Sequence, residues 1–398
     1  MFQAQRWPLQ MSATVLRDVV IVGAGPVGAA LAVALRDADL DVVVVDARPA
    51  QGTLRADRSL ALSHGARLIF ERLGIWGDLV GRADALTPII DIDISQAHGF
   101  GMARLRASDQ DLPALGYVVS YRALQEALDA ALQRTRSELR YGQTVTHVGG
   151  TQSYAAVTLG EGVDPVLARM AVVADGGGAT VARLSRRRYD YHQSALIAKV
   201  WCRAPHRGVA YERFTEEGPV ALLPEQDHYG LVWTAAPKKV EALLGLPDPA
   251  FLATLGERFG PRRTDFCAVA DRRSFPLALE VAPSVVATRC AVIGNAAQAL
   301  HPVAGQGFNL GLRDAYQLAR SIIDVPRAEI GSDRMLRGYA RARRADRLGG
   351  VAFTHGLLGL FANDFGWLRW PRGLALSLLD AMPPAKRLFT RAMLFGLR

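Results

Sequence analysis

The chain has 398 residues, half of them hydrophobic, with 47 Lys and Arg against 38 Asp and Glu and a formal charge of +9. That length suits two domains better than one compact core, and the positive balance, carried almost wholly by arginine, fits anionic cofactor phosphates or a membrane surface; no recognition motif accompanies it, so nucleic acid is not an expected partner. Cys202, Cys267 and Cys290 are isolated, without C-x-x-C spacing or clustered histidines, which argues against a disulfide framework or a metal site.

Residues 1–16 contain no apolar run long enough for a secretory signal and read as a disordered extension. No stretch approaches the ~20 apolar residues that span a bilayer, so the cytoplasm is the expected compartment. Residues 18–23 are β-branched and end in glycine, an alanine-rich stretch to Leu35 suits a helix, and the run 42–45 ends at Asp46, which together make a first βαβ unit. Gly23-Ala24-Gly25-Pro26-Val27-Gly28 is G-x-G-x-x-G in the context the motif requires, after a strand and opening a helix. Gly23 allows the tight turn, Gly25 lets the backbone approach a pyrophosphate, and Gly28 lets helix pack on strand, while the helix N-terminus offers free N–H groups. Asp46 is placed to accept hydrogen bonds from a ribose diol. Taken alone, this motif leaves NAD and FAD both open.

Farther along, Ile90, Ile92 and Ile94 alternate with Asp91 and Asp93, the period of a half-buried antiparallel strand. From Ser120, which can cap it, a helix is expected with Leu124, Leu128, Ala131 and Leu132 on one face. Residues 172–175 read as another buried strand, and 195–201 and 229–233 as strands of a second sheet covering about 188–273. The run 285–294 is apolar and leads through a glycine-rich loop into a helix beginning near Gly307, with Phe308, Leu312, Ala315, Ala319 and Ile322 on its core face. The N-terminus of that helix would favour negative charge beside it. The arginine-dense stretch 334–347 reads as a solvated helix face, and the tail beyond it as a helical cap whose runs 357–361 and 374–379 pack as core or meet lipid.

The segment Gly294-Asn295-Ala296-Ala297-Gln298-Ala299-Leu300-His301-Pro302-Val303-Ala304-Gly305-Gln306-Gly307-Phe308-Asn309-Leu310-Gly311-Leu312-Arg313-Asp314 resembles the second FAD motif of the flavoprotein aromatic hydroxylases, in the form seen in the ubiquinone-biosynthesis hydroxylases. Most of the chain shares the likeness, including Arg58-Ser59-Leu60-Ala61-Leu62-Ser63 and Leu73-Gly74-Ile75-Trp76. Asn295 stands where the wider family usually has aspartate, and its amide can still bond a ribityl hydroxyl. Ala174-Asp175-Gly176-Gly177-Gly178-Ala179 resembles the family's Asp-Gly signature near the pyrophosphate, with Ala179 and Ala182 replacing a common serine and arginine.

The resemblance implies an α/β fold: a Rossmann-type FAD domain (17–80, 106–187, 274–345), an interleaved substrate domain with a mixed or antiparallel sheet (81–105, 188–273), and a helical tail (346–398). Its implied cofactor contacts are Gly23, Gly25, Pro26, Val27, Gly28, Asp46, Arg48, Arg58, Arg122, Val145, Asp175, Asn295, Pro302, Gly305, Gln306, Gly307 and Asn309, with Val145 near the adenine. The implied reaction is reduction of FAD by NAD(P)H, capture of molecular oxygen as a flavin C4a-hydroperoxide, and hydroxylation of a polyprenylphenol ubiquinone precursor in an apolar pocket. A quinone-biosynthesis complex and peripheral contact with the inner membrane face are the implied associations. His301, His192, Tyr211 and Tyr229 could orient or deprotonate the phenol, and nothing in the spacing selects one; His301 reads more simply as a hydrogen-bonded loop residue. A prenyl reductase, a hydroxylase of small aromatic acids, and a flavin-containing scaffold remain open as alternatives.

Overall fold

Valine and isoleucine at 19–22 make the strand Arg17–Val22 apolar on both faces, and all four are buried at the centre of a parallel sheet. Val42–Asp46 lies parallel to it on one side and Val166–Val173 on the other, with Glu138–Tyr141 beyond Val42–Asp46. The outer edge of Val166–Val173 is divided. Its first residues pair antiparallel with Ala155–Thr158, while Ala171, Val172 and Val173 pair parallel with Cys290, Ala291 and Val292. Segments far apart in sequence therefore end side by side, and Gly23, Asp175 and Gly294 follow three adjacent strands at the carboxyl edge, where open α/β sheets take their ligands. These strands belong to a computed structural model that describes residues 15–50, 58–82, 85–97, 99–177, 180–182, 184–260, 265–361 and 365–396. Residues 1–14 of the expected extension, and Gly178 and Ala179 of the middle motif, lie outside the described residues.

A second sheet runs in the order Gln298–Ala299, Phe266–Val281, Arg187–Cys202, His228–Ala235, Gly218–Glu225, Val209–Thr215, Asp91–Gln96, Met102–Arg106. A third, of Ser59–Ser63, Gly116–Ser120 and Leu86–Ile89, touches both partners: Ser59 donates to Glu225 of the second sheet, and the Ser63 N–H donates to Asn309 of the helix Gln306–Ile323. The expected segment 81–105 is thus divided between two sheets. Asp91–Gln96 is antiparallel to Met102–Arg106 and parallel to Val209–Thr215. Asp93, expected on a wet face, is buried against Arg104 at 2.6 and 2.7 Å. With both edges paired and its back covered, this strand keeps an outward carboxylate only by neutralising it.

Ser120 caps the helix Tyr121–Gln133, accepting from the Ala123 N–H, and Leu124, Leu128, Ala131 and Leu132 are buried as their spacing requires. Gln306–Ile323 buries Leu312, Ala315, Ala319 and Ile322. The next long helix, Asp333–Phe361, corrects the expectation of a solvated arginine face. Arg337, Arg341 and Arg344 are exposed, but Arg343 and Arg347 are buried. Arg343 binds Asp314 at 2.8 Å and Asp346 at 2.7 Å, and Arg347 donates to Gln298 at 3.0 Å and to the Ala282 carbonyl at 2.8 Å. Helical spacing places 343, 346 and 347 on one face, and buried carboxylates need cations beside them. The helix is continuous through residue 346. Gly366–Ala381 and Pro383–Phe395 complete the tail, and no helix among the described residues is long and apolar enough to cross a membrane.

Candidate functional site

The helix Pro26–Ala34 leaves the first strand so tightly that a Cβ at Gly28 would fall 1.9 Å from the Gly23 carbonyl oxygen. Gly28 is therefore a packing residue. Gly25 differs: nothing lies within 4 Å of where its Cβ would be. No side chain caps the first turn of the helix, so its N–H groups and dipole are left to an anion. The turn itself is held by Asp46, whose Oδ2 accepts from the Ala24 N–H and whose Oδ1 accepts from the Arg48 N–H at 2.7 Å and its Nε at 3.2 Å. A carboxylate has about four acceptor positions, so one remains for a ligand hydroxyl. The Ala24 carbonyl accepts from Arg48 at 2.8 Å and from Gln125 at 2.9 Å. Arg58, over the Tyr121 ring at 4.9 Å, and Arg122 stand exposed at the rim, and Asp175 accepts from the Gly177 N–H at 2.8 Å.

Cys290–Val292 delivers the second motif to the same edge. Gly305 is left-handed (φ 60°) as the residue before Gln306–Ile323, and a Cβ there would meet that of Ala61 at 2.9 Å. One turn into the helix, Asn309 is wholly engaged. Its Oδ1 accepts from the Ser63 N–H at 2.8 Å, and its Nδ2 donates to the Ala61 carbonyl at 2.9 Å and the Gly305 carbonyl at 2.8 Å. Both amide hydrogens being used, Asn309 acts on the cavity by fixing the loop. This helix too begins without a side-chain cap, beside Gln306 and Gly307.

The two turns border one cavity of about 1740 Å3, and of the expected contact residues only Gly28 does not line it. Single-ligand pockets run to about 300–1,000 Å3, so the space admits a dinucleotide and a second molecule. Val145, Gln143 and Thr144 line the end near Asp46, whereas the far end is walled by Ile92, Ile94, Phe214, Leu357, Phe361, Leu376, Leu379, Phe389 and Met393. Of the four groups considered for proton transfer, Tyr211 and His301 line the cavity; Tyr229 is buried behind it, and the His192 side chain is 89% exposed. Burial pushes the His301 imidazole down to about 4, so it is neutral near pH 7, and its Nδ1 accepts from the Val303 N–H at 3.3 Å. That is the hydrogen-bonded loop residue the sequence suggested. Glu212 was not anticipated. It lines the cavity from the strand Val209–Thr215, and burial pushes its carboxyl up to about 7. The signal available was one acid between Ala210 and Phe214 at alternating positions, which identifies a wall only once its sheet is placed.

Residues 17–348 match the FAD binding domain family, and over 394 residues the chain is 34% identical to a ubiquinone hydroxylase of Rhodospirillum rubrum, covering 96% of this chain and 91% of that one. The chain belongs to the flavoprotein aromatic hydroxylases. This flavoprotein is also 27% identical to the 3-demethoxyubiquinol 3-hydroxylase of Escherichia coli, covering 93% of this chain and 96% of that one. Its fold is that of p-nitrophenol 4-monooxygenase from Pseudomonas putida, with a TM-score of 0.76 at 18% identity over 97% of this chain and 100% of that one. It is an FAD-dependent monooxygenase with a Rossmann-type domain, a second sheet and a helical tail.

Proposed function

We propose that this monooxygenase hydroxylates the aromatic ring of a polyprenylphenol precursor of ubiquinone, with FAD as resident cofactor, NAD(P)H as electron donor and dioxygen as oxygen source. The observation that carries the reading is a single cavity, open backbone and fixed polar groups at one end and a mainly apolar lobe at the other. The residues present fit FAD: open space at Gly25, an uncapped helix at Pro26, and a free acceptor position on Asp46 suit a pyrophosphate and a ribose. Gly23, Gly25, Pro26, Val27, Asp46, Arg48 and Val145 would hold its adenosine half. Arg58, Arg122, Asp175 and Asn295 would flank its middle, and Pro302, Gly305, Gln306 and Gly307 its ring, with Gly28 and Asn309 holding the two turns in place.

Bound FAD supplies the transfer of two electrons from NAD(P)H to dioxygen and the delivery of one oxygen atom to the ring, the other leaving as water. The protein's own part is electrostatic and steric. The N-terminus of Gln306–Ile323 favours negative charge at the cavity edge. Phe214 and Phe361, stacked at 4.3 Å, and the leucines around them exclude water and give an isoprenoid chain an apolar surface. The name of the relative at 34% identity supports the same substrate class. Exposed Trp367, Trp370 and Leu388 on the tail support peripheral contact with the bilayer that would hold such a substrate.

Purified protein should be yellow and should consume dioxygen in step with hydroxylated product when given NADPH or NADH and a short-chain prenylphenol. Quinone intermediates accumulating in a deletion strain, read by mass spectrometry, should lack one ring hydroxyl. Turnover that proceeds without dioxygen and saturates a prenyl double bond would overturn the hydroxylase reading in favour of a reductase.

A further inference from the structure

Along Val209–Thr215, the side chains of Ala210, Glu212 and Phe214 share one face of the sheet. Ala210 packs with Ile89 and Val118 beside Ala61 and Leu223, and Phe214 packs with Val303 and Phe361. Ala61 lies against Gly305, and Val303 opens the short turn that ends there. Both ends of the row therefore reach the second glycine turn, and Glu212 is held between them on the wall of the apolar lobe. Its partners on the neighbouring strands are Ile94 and Ala221, which offer no side-chain donor. Its Oε1 is buried and has no hydrogen-bond partner among the described residues.

The other charged groups of this wall are arranged differently. Glu225 accepts from Ser59 and faces His228 at 3.4 Å, and Lys199 pairs with Asp271 at 3.2 Å, with Arg273 beyond them. Among the described residues, Tyr211 and His301 are the remaining titratable groups that border the lobe, and the His301 Nε2 is likewise buried without a hydrogen-bond partner. A buried acceptor without a donor destabilises the fold, and such a group in a cavity marks a place where a ligand brings the missing donor.

We infer that Glu212 accepts the hydrogen bond of the substrate's phenolic hydroxyl and takes its proton as the ring is attacked. The assignment rests on the phenol-hydroxylase reading given above. The phenolic O–H bond breaks, its electron pair stays on oxygen and enriches the ring carbon that receives the new oxygen, and the proton sits on Oε1. After that carbon has lost its hydrogen as a proton to water, Glu212 returns its own proton to the phenolate oxygen. The raised carboxyl, near 7, is a stronger base than an ordinary glutamate toward a phenol of pKa about 10. His301, pushed down to about 4, is a weaker one.

The holoenzyme variants Glu212→Gln and Glu212→Asp test this. Glu212→Gln should keep its FAD, lose about 10²–10⁴-fold in kcat for hydroxylation, and lack the acid limb of kcat/KM expected of the native protein near pH 7, with Glu212→Asp recovering part of the rate. Because the folded carboxyl ionises near 7 and the unfolded one near 4.5, the Tm advantage of Glu212→Gln over the native protein should widen as pH rises across that interval. Independently of turnover, the native protein at about pH 8 should bind an ortho-geranylphenol at least about tenfold tighter than its methyl ether, and Glu212→Gln, whose amide oxygen is a weaker acceptor than a carboxylate, should narrow that preference. A Gln variant with native kcat, an unchanged acid limb or an unchanged phenol preference overturns the inference while leaving the hydroxylase reading in place. A phenol preference that narrows in Glu212→Gln, with no hydroxylated product from the native protein, sustains the role of Glu212 and overturns the hydroxylase reading instead.

Discussion

At the dinucleotide end of the cavity the walls are mostly backbone, whereas at the far end they are side chains. Gly23, Gly25 and Gly28 come from one turn, stiffened by Asp46, Arg48 and Gln125 through the Ala24 peptide groups. The lobe instead gathers Ile94, Phe214, Phe361, Leu376 and Met393 from two strands and three helices. Backbone walls prescribe residue type, because a methyl group there either meets backbone, as at Gly28, or fills the open approach to a ligand, as at Gly25. Side-chain walls prescribe volume and polarity, and tolerate exchange among hydrophobes of similar size. The first end is thus suited to a constant ligand and the second to one whose shape differs between relatives.

The largest effect that could break this contrast lies in two neighbouring glycines. Gly28→Val would place carbon against the Gly23 carbonyl, a backbone atom that cannot move aside, and should cost more than about 4 kcal/mol and leave no soluble holoprotein. Gly25→Ala meets no protein atom within 4 Å, so the apoprotein should melt within about 2 °C of the native one, yet it should hold FAD at least tenfold more weakly because the methyl group fills the phosphate approach. Differential scanning fluorimetry and flavin absorbance read both. Full flavin retention in Gly25→Ala would show that the pyrophosphate lies elsewhere.

The next effect concerns what underlies both ends. Asp314 lies on the helix behind the second turn and is wholly buried against Arg343. Removing the cation alone, in Arg343→Met, should cost about 3–5 kcal/mol in urea unfolding, and Arg343→Met with Asp314→Leu should recover much of it. For Asp346, burial would raise the carboxyl, but Arg313 and Arg343 outweigh it and hold it below its ordinary range. Its contribution is therefore present above the unfolded value of 3.8 and is lost as pH falls through the lower folded value. A single Arg343 variant costing under about 1 kcal/mol would mean that the cluster does not support the turn.

How much of this could be read from the chain follows the same division. The positions of the glycine turns and of Asp46 at the sheet edge were legible because local geometry requires those residue types at fixed spacing; that Asp46 braces the turn through the Ala24 N–H was not. Ser120 and the core face of Gln306–Ile323 were legible for the same reason, being set within one or two helical turns. Arg343 and Arg347 read as solvated because their partners, Asp314, Gln298 and the Ala282 carbonyl, lie far away in sequence. Asp93 misled likewise, since Arg104 sits on the next strand. Glu212 carries no motif, and its meaning depends on a parallel pairing with Asp91–Gln96 that the alternation at Ile92 and Ile94 does not reveal.

The smallest effect on stability should fall on the outside of the lobe. In Gly366–Ala381, Ala375, Leu376 and Leu379 face the cavity, while Trp367, Trp370, Leu374 and Leu378 recur at helical spacing and are exposed, both tryptophans at 73%. A helix apolar on two faces is ordinarily buried on both, so the outer face lacks a covering. Tryptophan suits a headgroup boundary, where its ring and its N–H are both satisfied. Trp367→Ser with Trp370→Ser should therefore leave FAD content unchanged and cost no more than about 1 kcal/mol in stability, because neither ring is buried. It should reduce co-sedimentation with vesicles of anionic lipid by about tenfold and raise KM for a long-chain prenylphenol delivered in those vesicles, but not for a short-chain one in solution. Equal vesicle binding by the variant would assign the outer face to something other than a bilayer. A rise in KM for the short-chain substrate would show that the two faces of this helix are not independent, and that the lobe is less tolerant of change than its side-chain walls imply.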